Sequence, residues 1–222
     1  MNDLGYSIEE AVLSSAECTT LLNSLSPYLS NSRRGGVRHL ISSCEEVQGI
    51  AEDDRLTAIA ERHLGNLSIP FKATLFHKTA NANWLVSWHQ DTALPLVKFE
   101  ADREWGPWSK KAGIDYALAP TWALKKIVAL RIQLDGSDFS NGPLRLIEGS
   151  HQHGVLTAEE LDKVVREGRE VCAVTGTGGV IAMSPLIVHA SSKAESEKPR
   201  RVLHIEYADS LELQPGIRLA IA

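Results

Sequence analysis

Sulfur is scarce in this sequence. Cys18, Cys44 and Cys172 are its only cysteines, odd in number and far apart. Such a set builds no disulfide framework, and free thiols in a reducing compartment are the expected state. Long apolar runs are missing as well: there is no stretch of about eighteen apolar residues, the length a membrane-spanning helix needs. The opening Met1-Asn2-Asp3-Leu4-Gly5 has neither the basic nor the apolar region of a signal peptide, so a cytoplasmic location is expected. Blocks of positive charge are absent and the formal net charge is -5, which argues against nucleic acid or an anionic membrane as partner. Internal repeats and low-complexity segments are absent too. Apolar residues, by contrast, make up 43% of the chain, enough for a well-filled core, and 222 residues fit one domain spanning 1–222.

The first part, 1–66, reads as largely helical. Tyr6 to Leu13 is short and partly alternating. Ser14 and Glu17 then form a capping-box pattern into a helix with Leu21, Leu22 and Leu25 on one side, which Pro27 is expected to end. Ser30 to Arg38 is a polar loop with Arg33, Arg34, Gly35 and Gly36. Glu52 to Leu64 reads as a second helix, with Leu56, Ile59, Ala60 and Leu64 on one face and Gly65 just past its end.

From there the pattern becomes strand-like. Strands are expected over Phe71 to His77 and Trp84 to Asp91, with a turn at Thr79 to Asn83 between them. Leu94 to Ala123 is long and irregular, broken by Pro95, Gly106, Pro107, Gly113 and Pro120, yet it carries Trp105, Trp108, Tyr116 and Trp122. A connection of that length is usually functional, and its aromatic content suggests a packed active-site lid over 94–123, with a plain structural insertion as the alternative. Ile127 to Asp135 alternates: Val128, Leu130, Ile132 and Leu134 share one face, and Arg131, Gln133 and Asp135 the other. Asn141-Gly142-Pro143 is a turn into a strand over Leu144 to Ile147. Thr157 caps a charged helix at Ala158 to Val165, and Gly176 to Gly179 is a turn lacking the Lys-Ser/Thr of a phosphate loop. Strands follow at Val180 to Met183, Pro185 to His189 and Arg200 to Tyr207, with a short tail from Gly216. Many short strands after N-terminal helices, with no regular helix–strand alternation, make the expected fold mainly β: a double-sheet jelly roll with helices packed on one sheet.

One stretch carries chemistry. In Trp88-His89-Gln90-Asp91 the His-x-Asp spacing puts an imidazole and a carboxylate on the same side of an extended segment, where they can take two adjacent positions on a divalent metal. His189 is the candidate third ligand, and two His plus one Asp with open positions opposite is the facial triad of non-haem Fe(II) oxygenases. A His-x-Asp by itself also occurs as a satisfied surface pair. The remaining histidines are weaker: His151 reads as structural, and His39, His63, His77 and His153 as surface or supporting residues.

Taken together, Trp88-His89-Gln90-Asp91, Asn141-Gly142-Pro143-Leu144, Gly149-Ser150-His151 and His189-Ala190-Ser191 with Pro199-Arg200-Arg201 resemble the phytanoyl-CoA dioxygenase family, over about Tyr6 to Tyr207 and in family order. The resemblance implies a double-stranded β-helix using Fe(II), 2-oxoglutarate and O2. It implies His89, Asp91 and His189 as metal ligands, Arg200 as the arginine gripping the distal carboxylate of 2-oxoglutarate, and Ser191 as a hydroxyl assisting it. Two departures concern turns: Lys193-Ala194-Glu195 stands where an asparagine is frequent, and Gly178-Gly179 where Gly-Asp is usual. Arginine suits the carboxylate because its planar guanidinium stays charged and binds in two places. Alternation puts Arg200 with Val202, His204 and Glu206, and Arg201 with Leu203, Ile205 and Tyr207. In an ordinary sandwich Arg201 would point inward. The family spacing selects Arg200, and Arg131, Gln133 and His204 then become pocket-lining candidates, with exposed polar positions as the alternative. Lys78 and Asn83 lie on the approach to the metal strand and could touch cosubstrate or substrate. The implied reaction is hydroxylation of a small molecule with release of succinate and CO2. Asp91 as a ligand argues against halogenation, whereas desaturation and ring formation use the same ligands. A non-redox cupin-type metalloenzyme and a catalytically silent metal-binding protein are the rival readings.

Overall fold

The computed structural model describes residues 2–30, 36–65, 67–78, 83–98 and 104–222. In chain order its elements begin with β1 (Tyr6–Glu9), α1 (Ser15–Ser30), β2 (Gly36–Val37), α2 (Leu40–Ser43), α3 (Glu45–Ala51) and α4 (Asp54–Leu64). Next come β3 (Ile69–Lys78), β4 (Val86–His89), β5 (Ala93–Leu96), β6 (Trp108–Lys111), β7 (Ile114–Leu118), α5 (Thr121–Leu124), β8 (Ile127–Gln133) and β9 (Leu144–Ile147). The chain closes with α6 (Ala158–Glu167), β10 (Glu170–Ala173), β11 (Val180–Met183), β12 (His189–Ser191), β13 (Arg200–Ala208), β14 (Glu212–Gln214) and β15 (Ile217–Arg218).

Alternation sorts the long strands into two faces, and the faces meet different partners. The major sheet runs β1-β11-β8-β13-β3-β2 and the minor sheet β10-β9-β12-β4, all antiparallel. Leu130, Ile132, Leu203, Ile205 and Tyr207 on one face of the major sheet pack into a single core with Leu21, Leu25, Val47, Leu56 and Ile59 of the helices. The opposite face looks into the jelly roll. At one end it is apolar, where Ala129, Ile181 and Met183 meet Leu144 and Leu146 of the minor sheet. At the other end it carries Lys72, Lys78, Arg131, Arg200, His204 and Glu206. Covering the apolar face with helices leaves the charged face to line a cavity. This is the jelly roll with helices on one sheet that the strand pattern anticipates, and the double-stranded β-helix that the family resemblance implies. Among the described residues no helix is long and apolar enough to cross a membrane.

Several local expectations need correction. The helix α1 does not stop at Pro27 but runs through it to Ser30, because a proline in the last turn forfeits only one rung and buried Leu21 and Leu25 hold the helix down. Its start is as read: Ser14 N donates to Glu17 and Glu17 N donates to Ser14 Oγ. The helices α2 and α3 and the strands β10, β14 and β15 have no counterpart in the sequence reading. The tail from Gly216 is not loose, since Ala222 N donates to Phe71 O and Ala222 O accepts from Ala73 N. The expected turn at Thr79 to Asn83, apart from Asn83, and Arg33 to Gly35 of the polar loop lie outside the described residues.

The stretch Leu94 to Ala123 is not irregular where it is described. Strands β5, β7 and β6 form a three-stranded antiparallel sheet, and Leu94, Leu96, Trp105, Ala117 and Leu124 fill a separate apolar cluster with Phe71 and Leu213. The tryptophan-rich punctuation thus builds a small second layer against the jelly roll.

The turn at Gly178 illustrates how tightly the helical layer seats. Gly178 adopts φ +81°, and its carbonyl accepts from Leu13 N. A Cβ there would fall 1.8 Å from the Leu13 carbonyl oxygen. Gly178→Ala is expected to destabilise the protein by about 2 kcal/mol or more, since the left-handed backbone alone costs roughly 1–3 kcal/mol for a non-glycine residue. A urea midpoint lowered at unchanged slope would register it, and a change under about 0.5 kcal/mol would mean that the turn relaxes freely.

Candidate metal centre

The centre is built where the minor sheet pairs β12 with β4. His189 lies directly opposite His89 in that ladder, and the register slips before Ser191 reaches Val86. The two rings sit with centroids 4.1 Å apart. Asp91 reaches them differently from the strand alternation expected over Trp84 to Asp91. The strand ends at His89, and Asp91 lies two residues beyond it, its N–H donating to Pro185 O at 2.9 Å. Gln90, between the two, turns away and spends its whole amide on the fold: Nε2 donates to Gly154 O and Leu186 O, and Oε1 accepts from Leu156 N. Gln90 therefore holds the Asp91 backbone in place, a role that sequence reading missed.

Both imidazoles have their tautomer fixed by backbone. A carbonyl oxygen only accepts, so His89 donates from Nδ1 to Ser87 O (2.8 Å) and His189 from Nδ1 to Ile187 O (2.9 Å). Each Nε2 faces Asp91, 3.8 Å from Oδ1 for His89 and 3.5 Å from Oδ2 for His189. Burial, opposed by Asp91, pushes His189 down to about 4, so it is neutral at pH 7. Burial works to raise the Asp91 carboxyl, but the fields of His189, His204, His89 and Lys72 prevail and hold it well below the usual carboxylate range. Three ligand atoms within 4.8 Å of one another, two of them imidazole nitrogens and one a carboxylate oxygen, are a fitting donor set for a divalent cation.

Two cavities meet at Asp91 and Phe76. The first, about 90 Å³, is walled by His89, His189, Lys78, Arg131, Ser191 and Arg200, with Trp84, Val86 and Leu144 as apolar lining. Arg200 is buried and donates from Nε to Asn141 O and from Nη2 to Ser191 Oγ. Ser191 Oγ also accepts from Lys78 Nζ and donates to Gly142 O. Burial, with Arg200 adding to it, lowers Lys78 to about 8, while burial and Arg131 lower Arg200 to about 10. Asp91 is the one carboxylate among the residues lining this cavity. Arg131 donates from Nη1 to His204 Nδ1 at 3.1 Å, and its buried Nε has no partner. Three buried cations facing one carboxylate leave room for an anion to be desolvated and held.

The second cavity, about 200 Å³, opens on the other side of Asp91 and includes Lys72, His204, Glu206 and Tyr116. Because Arg131 can only donate, His204 accepts at Nδ1 and its Nε2–H donates to Glu206 Oε1 (3.1 Å), which also accepts from Lys72 Nζ (2.6 Å). Burial acts to raise Glu206 and to lower Lys72, but their pairing wins in both, so the carboxylate and ammonium stay charged.

Of the residues anticipated from sequence, His89, Asp91, His189, Arg200, Ser191 and Arg131 are brought together around the first cavity, and His204 lines the second. Gln133 is not: it is buried, lines neither cavity, and has an unpartnered Oε1. Arg201 points away and clamps Asp135 through its backbone N and Nε. Lys78 is a cavity residue. Asn83 is not one, its amide being consumed by both backbone groups of Ala194. His151 packs against Gly5, His63 bonds Ser7 Oγ, and neither lines these cavities. Lys72, Thr74 and Phe76 were missed, although they share with Lys78 the alternate face of β3.

The family profile described as phytanoyl-CoA dioxygenase matches residues 1–202. No curated protein matches the sequence significantly. Among solved structures, the non-haem α-ketoglutarate-dependent epimerase SnoN from nogalamycin biosynthesis superposes with a TM-score of 0.71 at 17% identity, covering 94% of this chain and 79% of that one. EctD from S. alaskensis, solved with 2-oxoglutarate and 5-hydroxyectoine, gives 0.69 at 19% identity over 93% and 72%. AviO1 from Streptomyces viridochromogenes Tue57 gives 0.66 at 20% identity over 97% and 92%. At these identities the structures establish a shared fold. The profile, spanning nearly the whole sequence, establishes the lineage: this chain belongs to the phytanoyl-CoA dioxygenase family.

Proposed function

We propose that this chain is an Fe(II)- and 2-oxoglutarate-dependent oxygenase acting on an unactivated C–H bond of a small molecule, with hydroxylation as the outcome. The observation that carries the reading is the convergence of two imidazoles and one carboxylate beside a cavity lined by three buried cations and no other carboxylate. Bound iron would supply O2 activation, coupled to oxidation of 2-oxoglutarate to succinate and CO2. The chain's own residues do the rest. His89, Asp91 and His189 would hold the ion from one side and leave the other open. Arg200 would take the distal carboxylate of 2-oxoglutarate, steadied by Ser191, with Lys78 and Arg131 lowering the cost of burying the anion. Phe76, Trp84, Val86 and Leu144 exclude water from that end. The segment 94–123 serves as the cover, contributing Lys111 and Tyr116 as a folded wall to the second cavity. Support also comes from two neighbours: SnoN has been solved with Fe3+ and α-ketoglutarate, and EctD with bound Fe. SnoN is an epimerase and SnoK a carbocyclase, so the substrate's placement rather than the ligand set would select hydroxylation here.

Fe(II)-reconstituted protein is expected to release succinate from 2-oxoglutarate in an O2-dependent manner; iron binding without succinate would leave a silent metal-binding protein. His89→Ala, Asp91→Ala and His189→Ala should each remain folded by circular dichroism and each abolish that release. Mn(II) affinity should fall by roughly thirty-fold or more in Asp91→Ala, taking about 2–5 kcal/mol for a lost partner of a buried charge pair. Near-wild-type turnover in any of the three would remove that residue from the ligand set.

Arg200→Ala should raise the apparent 2-oxoglutarate constant by a similar factor, roughly thirty-fold or more on the same 2–5 kcal/mol scale. Arg200→Lys should recover only part, since an ammonium lacks the planar two-bond contact. Arg201→Ala should leave cosubstrate affinity nearly unchanged, because its guanidinium is engaged by Asp135. A 2-oxoglutarate titration at saturating metal decides it, and greater damage from Arg201→Ala would overturn the assignment.

A further inference from the structure

We infer that the substrate carries an anionic group, a carboxylate or a phosphate ester, held by Arg38 and Lys111 at the outer end of the second cavity. This rests on the oxygenase reading above and names the class of molecule it would act on.

The charges in that cavity do not balance. Lys72 and Glu206 neutralise each other at 2.6 Å, and both ring nitrogens of His204 are engaged, by Arg131 and by Glu206. Asp91 belongs to the metal centre. That leaves Arg38 and Lys111, which among the described residues have no carboxylate within ion-pair distance. Lys111 Nζ lies 4.6 Å from the centroid of the Tyr116 ring, while Arg38 is exposed at the mouth. The two come from different sheets: Arg38 follows β2, the short edge strand of the major sheet, and Lys111 ends β6 of the added sheet. Two separate parts of the chain therefore deliver unpaired cations to the rim of one cavity whose floor is the Asp91 carboxylate. Lys111 is pushed below the usual lysine range, first by burial and then by Lys72 and Arg38, with Asp91 and Glu206 opposing. An anion seated there would relieve that repulsion and form charge-assisted hydrogen bonds to both side chains. The Tyr116 ring, buried beside Lys111, gives the adjoining part of the substrate an apolar wall. With its anion at the rim, the molecule would extend inward toward Asp91, so the oxidised carbon is one remote from the charged group.

The test uses the full chain loaded with Mn(II) and N-oxalylglycine, an inert analogue of 2-oxoglutarate that fills the first cavity. Hexanoate and hexyl phosphate are titrated against their neutral counterparts, hexanamide and hexan-1-ol, by calorimetry. At least one anion is expected to bind ten-fold or more tighter than its counterpart, and whichever does so tells carboxylate from phosphate. Arg38→Gln and Lys111→Gln should each remove most of that preference while Mn(II) and N-oxalylglycine bind as in the wild type. Equal affinity for anion and neutral probe, no measurable binding of either anion, or a preference that survives both substitutions would overturn the inference. Failure of Mn(II) and N-oxalylglycine to bind the wild type would instead overturn the oxygenase reading on which it rests.

Discussion

The central constraint is electrostatic: Lys78, Arg131 and Arg200 are buried around one cavity with Asp91 as the sole carboxylate in its lining. Charges taken from water cost several kcal/mol each unless paired and hydrogen-bonded. The fold meets part of that cost through Ser191, the carbonyls of Asn141 and Ser192, and the His204 ring. It leaves Arg131 Nε bare. The expense is tolerable because it is concentrated at one end of a jelly roll whose other surfaces are apolar and close-packed. Ala129, Ile181 and Met183 seal the far end between the sheets, and the helices cover the outer face.

The relay Lys72–Glu206–His204–Arg131 gives this arrangement its direction. Each link fixes the donor and acceptor roles of the next: the guanidinium can only donate, so the imidazole donates onward to the carboxylate, which is shared with the ammonium. The imidazole of His204 thereby takes the tautomer opposite to that of the two ligand histidines, with Nε2 rather than Nδ1 protonated. The same residue type serves as metal donor in one place and as a rigid spacer in the other, according to what its second nitrogen meets.

Much of this was legible in the sequence, for a physical reason. Along β8 and β13 period-two alternation set Arg200 and His204 apart from Arg201 and Arg131 apart from its apolar neighbours, but which face lines the cavity came from the family spacing of Arg200 after His189. The same rule placed Gln133 on the right face but could not say how far the cavity extends along it. Alternation suggested Asp91 for a wrong reason, since the strand ends before it and backbone contacts to Pro185 bring it round. The added sheet was hidden by its punctuation: Pro95 reads as a breaker, yet β5 is an outer strand of its sheet, where a missing N–H is tolerated. Lys72 and Lys111 were overlooked because a lone lysine in a strand ordinarily points to water. Only tertiary packing distinguishes the buried ones.

The pairing of His189 opposite His89 has a mechanical side as well. One outer strand of the minor sheet is β4, and β12 is its neighbour in that sheet. An ion shared by the two imidazoles would be a cross-link between an edge strand and the sheet, placed where a disulfide would serve in a secreted protein. Because it binds the folded ladder and not the open chain, its affinity adds to the stability of that edge, by about 2.7 kcal/mol at a hundred-fold excess over its dissociation constant. The strand that carries the chemistry would thus be fastened by the cofactor it holds. Loss of the metal would loosen that edge of the minor sheet.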